Sequence, residues 1–382
     1  MTELLYYKSA YISTFSATVL SCEADGEAWK VTLDKTAFFP ESGGQYADTG
    51  RIGTAHVLNA KAEDGVVVHI TDSPVEASKT YECEIDFDKR FEKMQCHTAE
   101  HIVSGLIHKH FGYDNVGFHL GEEDVTLDIS APLDREALDF IEELANRAVF
   151  ENVEVVAEEL FGEAVSLREY RSKLEFTDSV RVVTVPGYDA CACCAPHVLR
   201  TGEIGIIKLL DFYSYKGGVR IHMTAGRRAL ADYRARYTSV LAISAILSAP
   251  QCEVADAVRQ TAERLASIEY KLRETELAFA RALADGLSYS EKNRVEYNPA
   301  LTPATLREFA NCAVTKTGGI LVALCGEEGN YKYVITSKTR DISSLTKKIN
   351  AALGGKGGGR GEMIQGSFSS KLSDIKDFFE KL

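Results

Sequence analysis

Two pairs of metal-binding residue types, far apart in the chain, constrain the fold more than any other feature. His97 and His101 stand in a segment with helical periodicity, so both imidazoles lie on one face, one turn apart. Cys193 and His197 stand in a later loop that contains a proline. One thiolate and three imidazoles form a donor set of the zinc type. The sequence therefore predicts a fold in which this helix and this loop meet at one metal site.

Each half of this set also has another interpretation. Two histidines on a helix occur without a metal, and a zinc protease needs glutamate directly after the first histidine, where Thr98 stands. Glu100 precedes the second histidine instead. The loop can equally hold a purely structural zinc or form a redox cluster unrelated to His97. Cys191 and Cys194 are alternative thiolate ligands or close neighbours of the site.

Length and charge restrict the class of protein. The chain has 382 residues, which corresponds to two or three domains at about 150 residues each. It carries 43 Lys and Arg against 56 Asp and Glu, and this net charge of −13 argues against a protein that coats DNA. We find neither a signal-peptide pattern nor an apolar run of membrane-spanning length, so we expect a cytoplasmic protein. Nine cysteines in such a chain favour metal binding over disulfides.

The order of strand-like and helix-like segments predicts an α+β multi-domain fold. Residues 1–88 have the pattern of a β-barrel-like domain, and residues 89–230 that of an α/β domain with the metal-binding residues. Residues 231–285 form a helical linker or coiled coil. Residues 286–382 form a C-terminal α/β domain with a glycine-rich loop. The first helix is expected over residues 90–110, with Gly112 as its C-terminal cap.

The helical linker contains a heptad pattern of about four repeats. Its positions, three and four residues apart, are Val258, Thr261, Leu265, Ile268, Leu272, Thr275, Phe279 and Ala282. The threonine and alanine positions weaken this pattern. A coiled coil, a helical hairpin and an ordinary amphipathic helix are all consistent with it.

A glycine run near the C-terminus coincides with a local excess of positive charge. Residues 354–361 hold six glycines together with Lys356 and Arg360. Residues 330–382 carry ten Lys or Arg and five acids, a local sum of +5 in a chain of −13. A glycine-rich loop with two cations suits phosphate groups, although the run is neither a Walker A motif nor a Rossmann fingerprint. We expect a polyanion to bind here, and a flexible loop with a solvated basic face is the alternative.

Several motifs, in this order along the chain, resemble those of one family. Thr36 to Gln45 is similar to Thr-x-Phe-Tyr-Pro…Gly-Gly-Gln, with Phe39 in place of tyrosine. Cys193 to Gly205 is similar to Cys-Gly-Gly-Thr-His-Val…Thr-Gly-x-Ile-Gly. The other motifs are the His97-x-x-x-His101 pair, Gly218 to Ile221, and Gly357 to Arg360. The chain resembles the long-form AlaX proteins, free-standing editing enzymes related to the editing and C-terminal parts of alanyl-tRNA synthetase. It departs from the family where Cys194-Ala195-Pro196 replaces Gly-Gly-Thr.

This resemblance implies a function and a role for each motif. The activity would be hydrolysis of the ester in tRNA(Ala) mischarged with serine, with glycine as a second amino acid. Zinc would be held by His97, His101, Cys193 and His197, and the family spacing selects Cys193 among the cysteines. Thr36 is the candidate that recognises the serine hydroxyl, and Gln45 is expected to line the same pocket.

The resemblance also implies the role of the C-terminal part and leaves other functions open. Lys356 and Arg360 would bind tRNA, and the helical linker and C-terminal domain would form a homodimer. One alternative is a zinc-containing protein that binds tRNA without catalysis. Another is editing of a different tRNA, such as Ser-tRNA(Thr).

Overall fold

The computed structural model describes residues 2–121 and 125–382 and divides into two compact units, Met1–Val240 and Leu241–Leu382. Both units contain helices and β-sheets, which confirms the α+β class. The predicted division into four parts is not decided by the two-unit partition and stays a prediction.

The first unit begins with a closed β-barrel. Its elements are β1 (Glu3–Leu4), α1 (Leu5–Lys8), β2 (Thr14–Asp25), β3 (Ala28–Leu33), β4 (Lys35–Thr36), β5 (Gly50–Ile52), β6 (Ala55–Glu63), β7 (Val66–Thr71) and β8 (Thr80–Ile85). The barrel strands follow the order β2-β3-β7-β6-β5-β8. Alternate residues point inward, as a strand period of two requires, and Val19, Val31 and Leu33 are fully buried in the barrel core. The loop between β4 and β5 leaves the barrel and carries Gln45.

The rest of the first unit packs helices against two antiparallel sheets. Its elements are α2 (Phe87–Phe111), β9 (Asn115–Leu120), β10 (Val125–Ile129), α3 (Arg135–Glu151), β11 (Val156–Phe161), α4 (Glu163–Leu167), β12 (Ser179–Val185), β13 (Asp189–Ala192), β14 (Ile207–Tyr215) and β15 (Gly218–Ala225). The sheets run β14-β15-β10-β9 and β11-β12-β13. Helix α2 lies in the middle of this core and ends at Gly112, whose left-handed backbone confirms the expected cap. Helix α5 (Gly226–Leu247) follows.

The second unit is built on one mixed sheet. Its elements are α6 (Val254–Asp285), β16 (Arg294–Tyr297), α7 (Pro303–Ala313), β17 (Leu321–Glu327), β18 (Asn330–Thr336), α8 (Thr346–Leu353), β19 (Lys356–Arg360), β20 (Met363–Phe368) and α9 (Leu372–Glu380). The strand order is β16-β17-β18-β20-β19. Helix α7 begins at the N-cap Thr302, whose side chain accepts from the N–H of Thr305. A short helical turn at Gln251–Glu253 separates α5 from α6, which confirms the predicted break near Pro250.

The glycine run is a strand rather than the predicted loop. Residues Lys356 to Arg360 pair along their whole length with β20 at the edge of the sheet. A Cβ at Gly357 would lie 2.3 Å from the carbonyl oxygen of Gln365 and 2.5 Å from the hydroxyl of Tyr333. These glycines therefore permit close strand packing, so the expectation of a phosphate-cradling loop is wrong for this segment. Lys356 and Arg360 remain exposed on the strand.

Within the described residues, no single helix has both the length and the apolar character to cross a membrane. The consecutive helical segments Gly226–Leu247 and Gln251–Asp285 meet that test only when they are taken together as a bent pair.

Candidate metal centre

Helix α2 presents His97 and His101 on one side, and both side chains are almost fully buried. One turn further along, a Cβ at Gly105 would lie 2.5 Å from the carbonyl oxygen of Tyr188 and 2.6 Å from the Cβ of Asp189. Glycine at this position therefore lets β13 approach α2 at backbone distance. Because the loop after β13 carries the other two predicted ligands, this close approach joins the two halves of the site.

The loop after β13 is fixed by Arg181. Its guanidinium donates to the carbonyl oxygens of Cys193 at 2.7 Å and Ala195 at 3.0 Å. The backbone N–H of Ala195 donates to the sulfur of Cys193 at 3.4 Å. These bonds hold the turn that presents the thiol of Cys193 and the imidazole of His197 toward α2.

The structure brings the four predicted residues together. One ligand atom from each of His97, His101, Cys193 and His197 lies within 4.8 Å of the others. The sulfur of Cys193 is 3.3 Å from Nε2 of His197 and 3.6 Å from Nε2 of His97. This group could hold one metal ion. Its close spacing favours a site shared with His97 over a redox cluster that is unrelated to His97.

Each imidazole in this group uses Nδ1 to bind a neighbour outside it. Nδ1 of His97 donates to Oε1 of Gln45 at 2.8 Å, and Nδ1 of His101 donates to Oδ2 of Asp189 at 3.1 Å. The hydroxyl of Thr98 donates to the helix carbonyl four residues back, so its oxygen accepts from Nδ1 of His197 at 3.0 Å. With Nδ1 protonated in all three rings, the Nε2 lone pairs remain available to a metal.

The three cysteines of the loop region differ in ionisation. Burial opposes loss of the proton from Cys193, but His97 and His197 outweigh it and hold the pKa of this thiol well below its usual range. Burial raises the pKa of Cys191 and of Cys194, so these two remain thiols. Since a thiolate is the form that binds metal, the electrostatics favour Cys193 as the sulfur ligand.

Two of the histidines have pKa values shifted in opposite directions. Burial lowers the pKa of His197 to about 3, which keeps this ring neutral, as a ligand must be. Burial would also lower the pKa of His101, but the bonds to Asp189 and Cys193 raise it well above its ordinary value. A metal that binds His101 must therefore displace a proton.

Asp189 connects His101 to the partly buried guanidinium of Arg171. Its two carboxylate oxygens accept from Arg171 at 2.7 and 2.9 Å, in addition to the bond from His101. With His101 and Cys191 it forms a second group with metal-binding side chains. Because the carboxylate is already bound by Arg171, its role is to orient His101. Sequence reasoning missed Asp189, Arg171 and Thr98, since their contacts depend on which distant segments meet.

A cavity of about 1500 Å³ opens beside the group and is lined by three of the four residues, His97, His101 and Cys193. Glu100 also lines it, and this buried side chain was missed in the sequence as a functional residue. One oxygen of Glu100 accepts from Ser104 at 2.5 Å and from Asn115 at 2.6 Å. The cavity exceeds the usual size of a small-molecule pocket, so it has room for more than an amino acid.

Thr36 and Gln45 occupy different places relative to this cavity. Gln45 is fully buried against His97, and its Nε2 has no partner within the described residues. Thr36 is also fully buried, but its hydroxyl lies 2.8 Å from Nε2 of His69 and accepts from the N–H of Phe38 at 3.1 Å. Neither residue lines the cavity. Their roles toward a substrate stay predictions.

Comparison with known proteins places this site in a family context. Residues 180–222, which include Cys193 and His197, match the model of the "Threonyl and Alanyl tRNA synthetase second additional domain". The alanyl-tRNA editing protein AlaX-L of Pyrococcus horikoshii is 27% identical and aligns with 100% of this chain and 98% of its own length. This chain is a relative of the alanyl-tRNA editing proteins. The resemblance inferred from the motifs is thereby confirmed.

Two further relatives agree with this assignment. An alanyl-tRNA editing protein of Mus musculus is 24% identical over 97% of this chain and 94% of its own length. An alanine–tRNA ligase of Methanobrevibacter smithii is 30% identical over 96% of this chain but only 44% of the ligase. The chain therefore spans less than half of that ligase and nearly all of the editing proteins. The crystal structure of the C-Ala domain from Aquifex aeolicus alanyl-tRNA synthetase matches 25% of the chain at 18% identity, and its TM-score of 0.21 is too low to support a structural argument.

Proposed function

We propose that this chain is a trans-editing hydrolase that cleaves the ester of tRNA(Ala) mischarged with serine. The observation that carries the proposal is the convergence of His97, His101, Cys193 and His197 beside a large cavity. The relatives that align with nearly the whole chain bear the name of alanyl-tRNA editing proteins, which supports the same function. Glycine is the second candidate for the wrongly attached amino acid.

Zinc is the metal that best fits these residues. Three neutral imidazole nitrogens and one thiolate are a typical zinc donor set, and the Nδ1 contacts to Gln45, Asp189 and Thr98 leave the inner nitrogens available. When bound, zinc would supply positive charge for positioning the substrate or for lowering the pKa of water. Four protein ligands close a tetrahedral site, so direct water activation would require one ligand to leave or a fifth coordination position. Positioning of the substrate and activation of water are therefore both kept as proposals.

The cavity also carries groups that suit an aminoacyl ester. Every such substrate has an α-ammonium group beside the ester carbonyl. The carboxylate of Glu100 is buried at the cavity wall and makes no ion pair within the described residues, so it provides a complementary charge for that ammonium. Lys173 and Arg181 line the same cavity and supply positive charge toward phosphates of the acceptor end.

Selection for serine over alanine requires a group that hydrogen-bonds the serine hydroxyl. A site built around such a bond disfavours alanine, because the polar group of the site is left unpaired when alanine is bound. Thr36 is the proposed group, on the resemblance of its loop to the family motif. In the structure its hydroxyl is engaged by His69, so contact with a substrate requires that bond to be exchanged.

We assign affinity for the body of the tRNA to the second unit. Lys356 and Arg360 are exposed on strand β19, in a segment with an excess of positive charge. Phosphate contacts give affinity without sequence specificity, so a basic edge strand can serve this role without a glycine loop.

The test is deacylation of purified charged tRNAs. Ser-tRNA(Ala), Gly-tRNA(Ala), Ala-tRNA(Ala) and Ser-tRNA(Thr) are each incubated with the wild-type chain and with a His97→Ala, His101→Ala variant whose circular dichroism matches wild type. We expect rapid loss of serine from tRNA(Ala), slow loss of alanine, and no reaction with the variant. Preferential hydrolysis of Ser-tRNA(Thr), the other system named in the matched domain model, would favour that tRNA instead. Binding of tRNA without any hydrolysis would contradict catalysis.

A further inference from the structure

Helix α2 places one carboxylate on the wall of the cavity, beside two of the candidate ligands. Glu100 follows His97 by three positions, so the two side chains are neighbours on the surface of the helix. It lines the cavity, yet it is only 5% exposed, and it is not one of the four residues of the metal group. A glutamate is rarely buried to this extent unless its charge has a partner. Its surroundings therefore indicate what the cavity accepts.

The carboxylate of Glu100 is held through one of its two oxygens. The hydroxyl of Ser104 donates to this oxygen at 2.5 Å, and the amide nitrogen of Asn115 donates to it at 2.6 Å. The N–H of Gly117 donates to the amide oxygen of Asn115 at 3.0 Å, which fixes the NH₂ group toward Glu100. The other carboxylate oxygen makes no hydrogen bond within the described residues, and it is not sealed off among the buried atoms that lack a partner. It is therefore the oxygen that is open to the cavity.

The negative charge of Glu100 has no cationic partner in the part of the chain that the structure describes. Arg171 lines the same cavity, but Asp189 accepts from its guanidinium at 2.7 and 2.9 Å. Lys109 also lines the cavity, and its ammonium donates to the carbonyl oxygen of Gly187 at 3.1 Å. Burial of a carboxylate is costly unless a cation compensates its charge. The cavity thus carries a charge that a cationic group of a ligand would compensate.

Esters of amino acids differ in whether they carry such a cation. In an aminoacyl ester, one carbon separates the α-ammonium from the ester carbonyl, so a carbonyl held beside His97 brings the ammonium close to Glu100. In an N-acylated ester the same nitrogen is a neutral amide. It can donate one hydrogen bond, but it leaves the charge of Glu100 uncompensated while the ligand excludes water from it. A buried charge that loses its water without gaining a counter-charge disfavours binding strongly.

We propose that Glu100 restricts this cavity to esters that have a free α-ammonium group. The inference rests on the proposed ester hydrolysis and narrows its substrate class. Aminoacyl esters of tRNA are accepted, whereas N-acylated esters, peptidyl esters among them, are excluded. The charge of the carboxylate makes this selection, and the size of the acyl group does not.

The first test measures binding, so it does not depend on hydrolysis. The probes are 3′-deoxy-3′-(L-serylamino)adenosine, in which an amide replaces the ester, and its N-acetyl derivative. Calorimetric titration of the full chain should show at least about tenfold tighter binding of the free amine. The Glu100→Gln variant should bind both probes alike. Equal affinity of the two probes for wild type, or an unchanged preference in Glu100→Gln, would overturn the proposal.

A matched control separates this carboxylate from the general charge of the cavity. Glu169 also lines the cavity but is exposed. Glu169→Gln removes the same charge from a site where water already compensates it, so the preference for the free amine should remain as in wild type. A loss of preference equal to that of Glu100→Gln would show that the overall potential selects the amine and would overturn the role of Glu100.

The second test separates charge from size during hydrolysis. The substrates are Ser-tRNA(Ala), N-acetyl-Ser-tRNA(Ala) and glyceryl-tRNA(Ala), in which a hydroxyl replaces the ammonium without added bulk. Each rate is divided by the spontaneous rate of the same ester, because an α-ammonium itself makes an ester labile. Both neutral esters should react at least about 100-fold more slowly than the serine ester. A glyceryl ester that reacts as fast as the serine ester would show that size decides, which would overturn the proposal.

The same three esters distinguish selection of the amine from general-base catalysis. A base acts on every ester, so its removal lowers all three normalised rates by the same factor. If Glu100 binds the ammonium, Glu100→Gln lowers the rate of the serine ester alone and the three rates converge, with zinc content equal to that of wild type. An equal fall in all three rates would overturn the proposal. Tighter binding of the free amine without hydrolysis of any ester would refute the proposed hydrolase and leave the selection by Glu100 supported.

Discussion

Replacing Thr98 by valine should weaken metal binding while leaving the fold intact. The two side chains have nearly the same shape, and both are β-branched, so the buried helix position is still filled. The substitution removes the oxygen that accepts from Nδ1 of His197 at 3.0 Å and from the N–H of Val198 at 3.3 Å. His197 then loses the bond that fixes its protonation and orientation.

The expected loss follows from that single contact. Removing a partner that orients a metal-bound histidine costs 10- to 100-fold in affinity, which equals about 1.4–2.7 kcal/mol. The buried N–H that is left unpaired adds about 1–3 kcal/mol of destabilisation to the protein. The two effects can be separated because the first appears in zinc affinity and the second in resistance to urea.

The assay is zinc competition with a chromophoric chelator, starting from metal-free protein. Thr71→Val is the matched control, because Thr71 is equally buried and donates to Ser73 at 2.9 Å, but lies in the barrel and contacts none of the four ligands. We expect a similar loss of stability in both variants and a loss of zinc affinity in Thr98→Val alone. Equal zinc affinity of Thr98→Val and wild type would refute the claim that this hydroxyl orients His197.

Three other predictions concern the barrel, the selectivity and the tRNA. Burial lowers the pKa of His69 to about 4, so on acidification the unfolded chain, whose histidine has an ordinary pKa near 6.5, binds the proton before the folded chain does. The free energy of unfolding should therefore fall by up to about 3 kcal/mol as the pH drops from about 6.5 to 4. The urea midpoints of wild type and His69→Gln should converge in acid, and parallel curves would exclude this cause. Thr36→Val should retain zinc and reduce the preference for Ser-tRNA(Ala) over Ala-tRNA(Ala), and an unchanged ratio of rates would remove Thr36 from the selection step. Lys356→Ala with Arg360→Ala should lower the slope of log tRNA affinity against log salt by about one to two, whereas equal slopes would show that these cations do not contact phosphates.

The sequence predicts well whatever depends on local periodicity. The spacing of His97 and His101 places both on one helical face whatever the rest of the fold does, and Gly112 ends that helix as expected. Each of these features depends on residues close together in the chain.

Features that depend on distant segments could not be predicted in the same way. The glycine-rich composition predicts a loop, but the conformation of this segment is set by pairing with β20 and by the close approach of Tyr333. Likewise, Thr98 and Asp189 bind histidines 99 and 88 positions away in the sequence. No local pattern marks a residue whose role is to hold the outer nitrogen of a ligand.

The central claim is that one metal ion is held by His97, His101, Cys193 and His197. X-ray absorption at the zinc edge, combined with metal analysis of the purified chain, tests it most directly. We expect about one zinc per chain with one sulfur and three imidazole nitrogens, and loss of the metal in a His97→Ala, His101→Ala variant. Two or more sulfur ligands, or full zinc content in that variant, would show that the cysteine cluster binds metal by itself and would contradict the account.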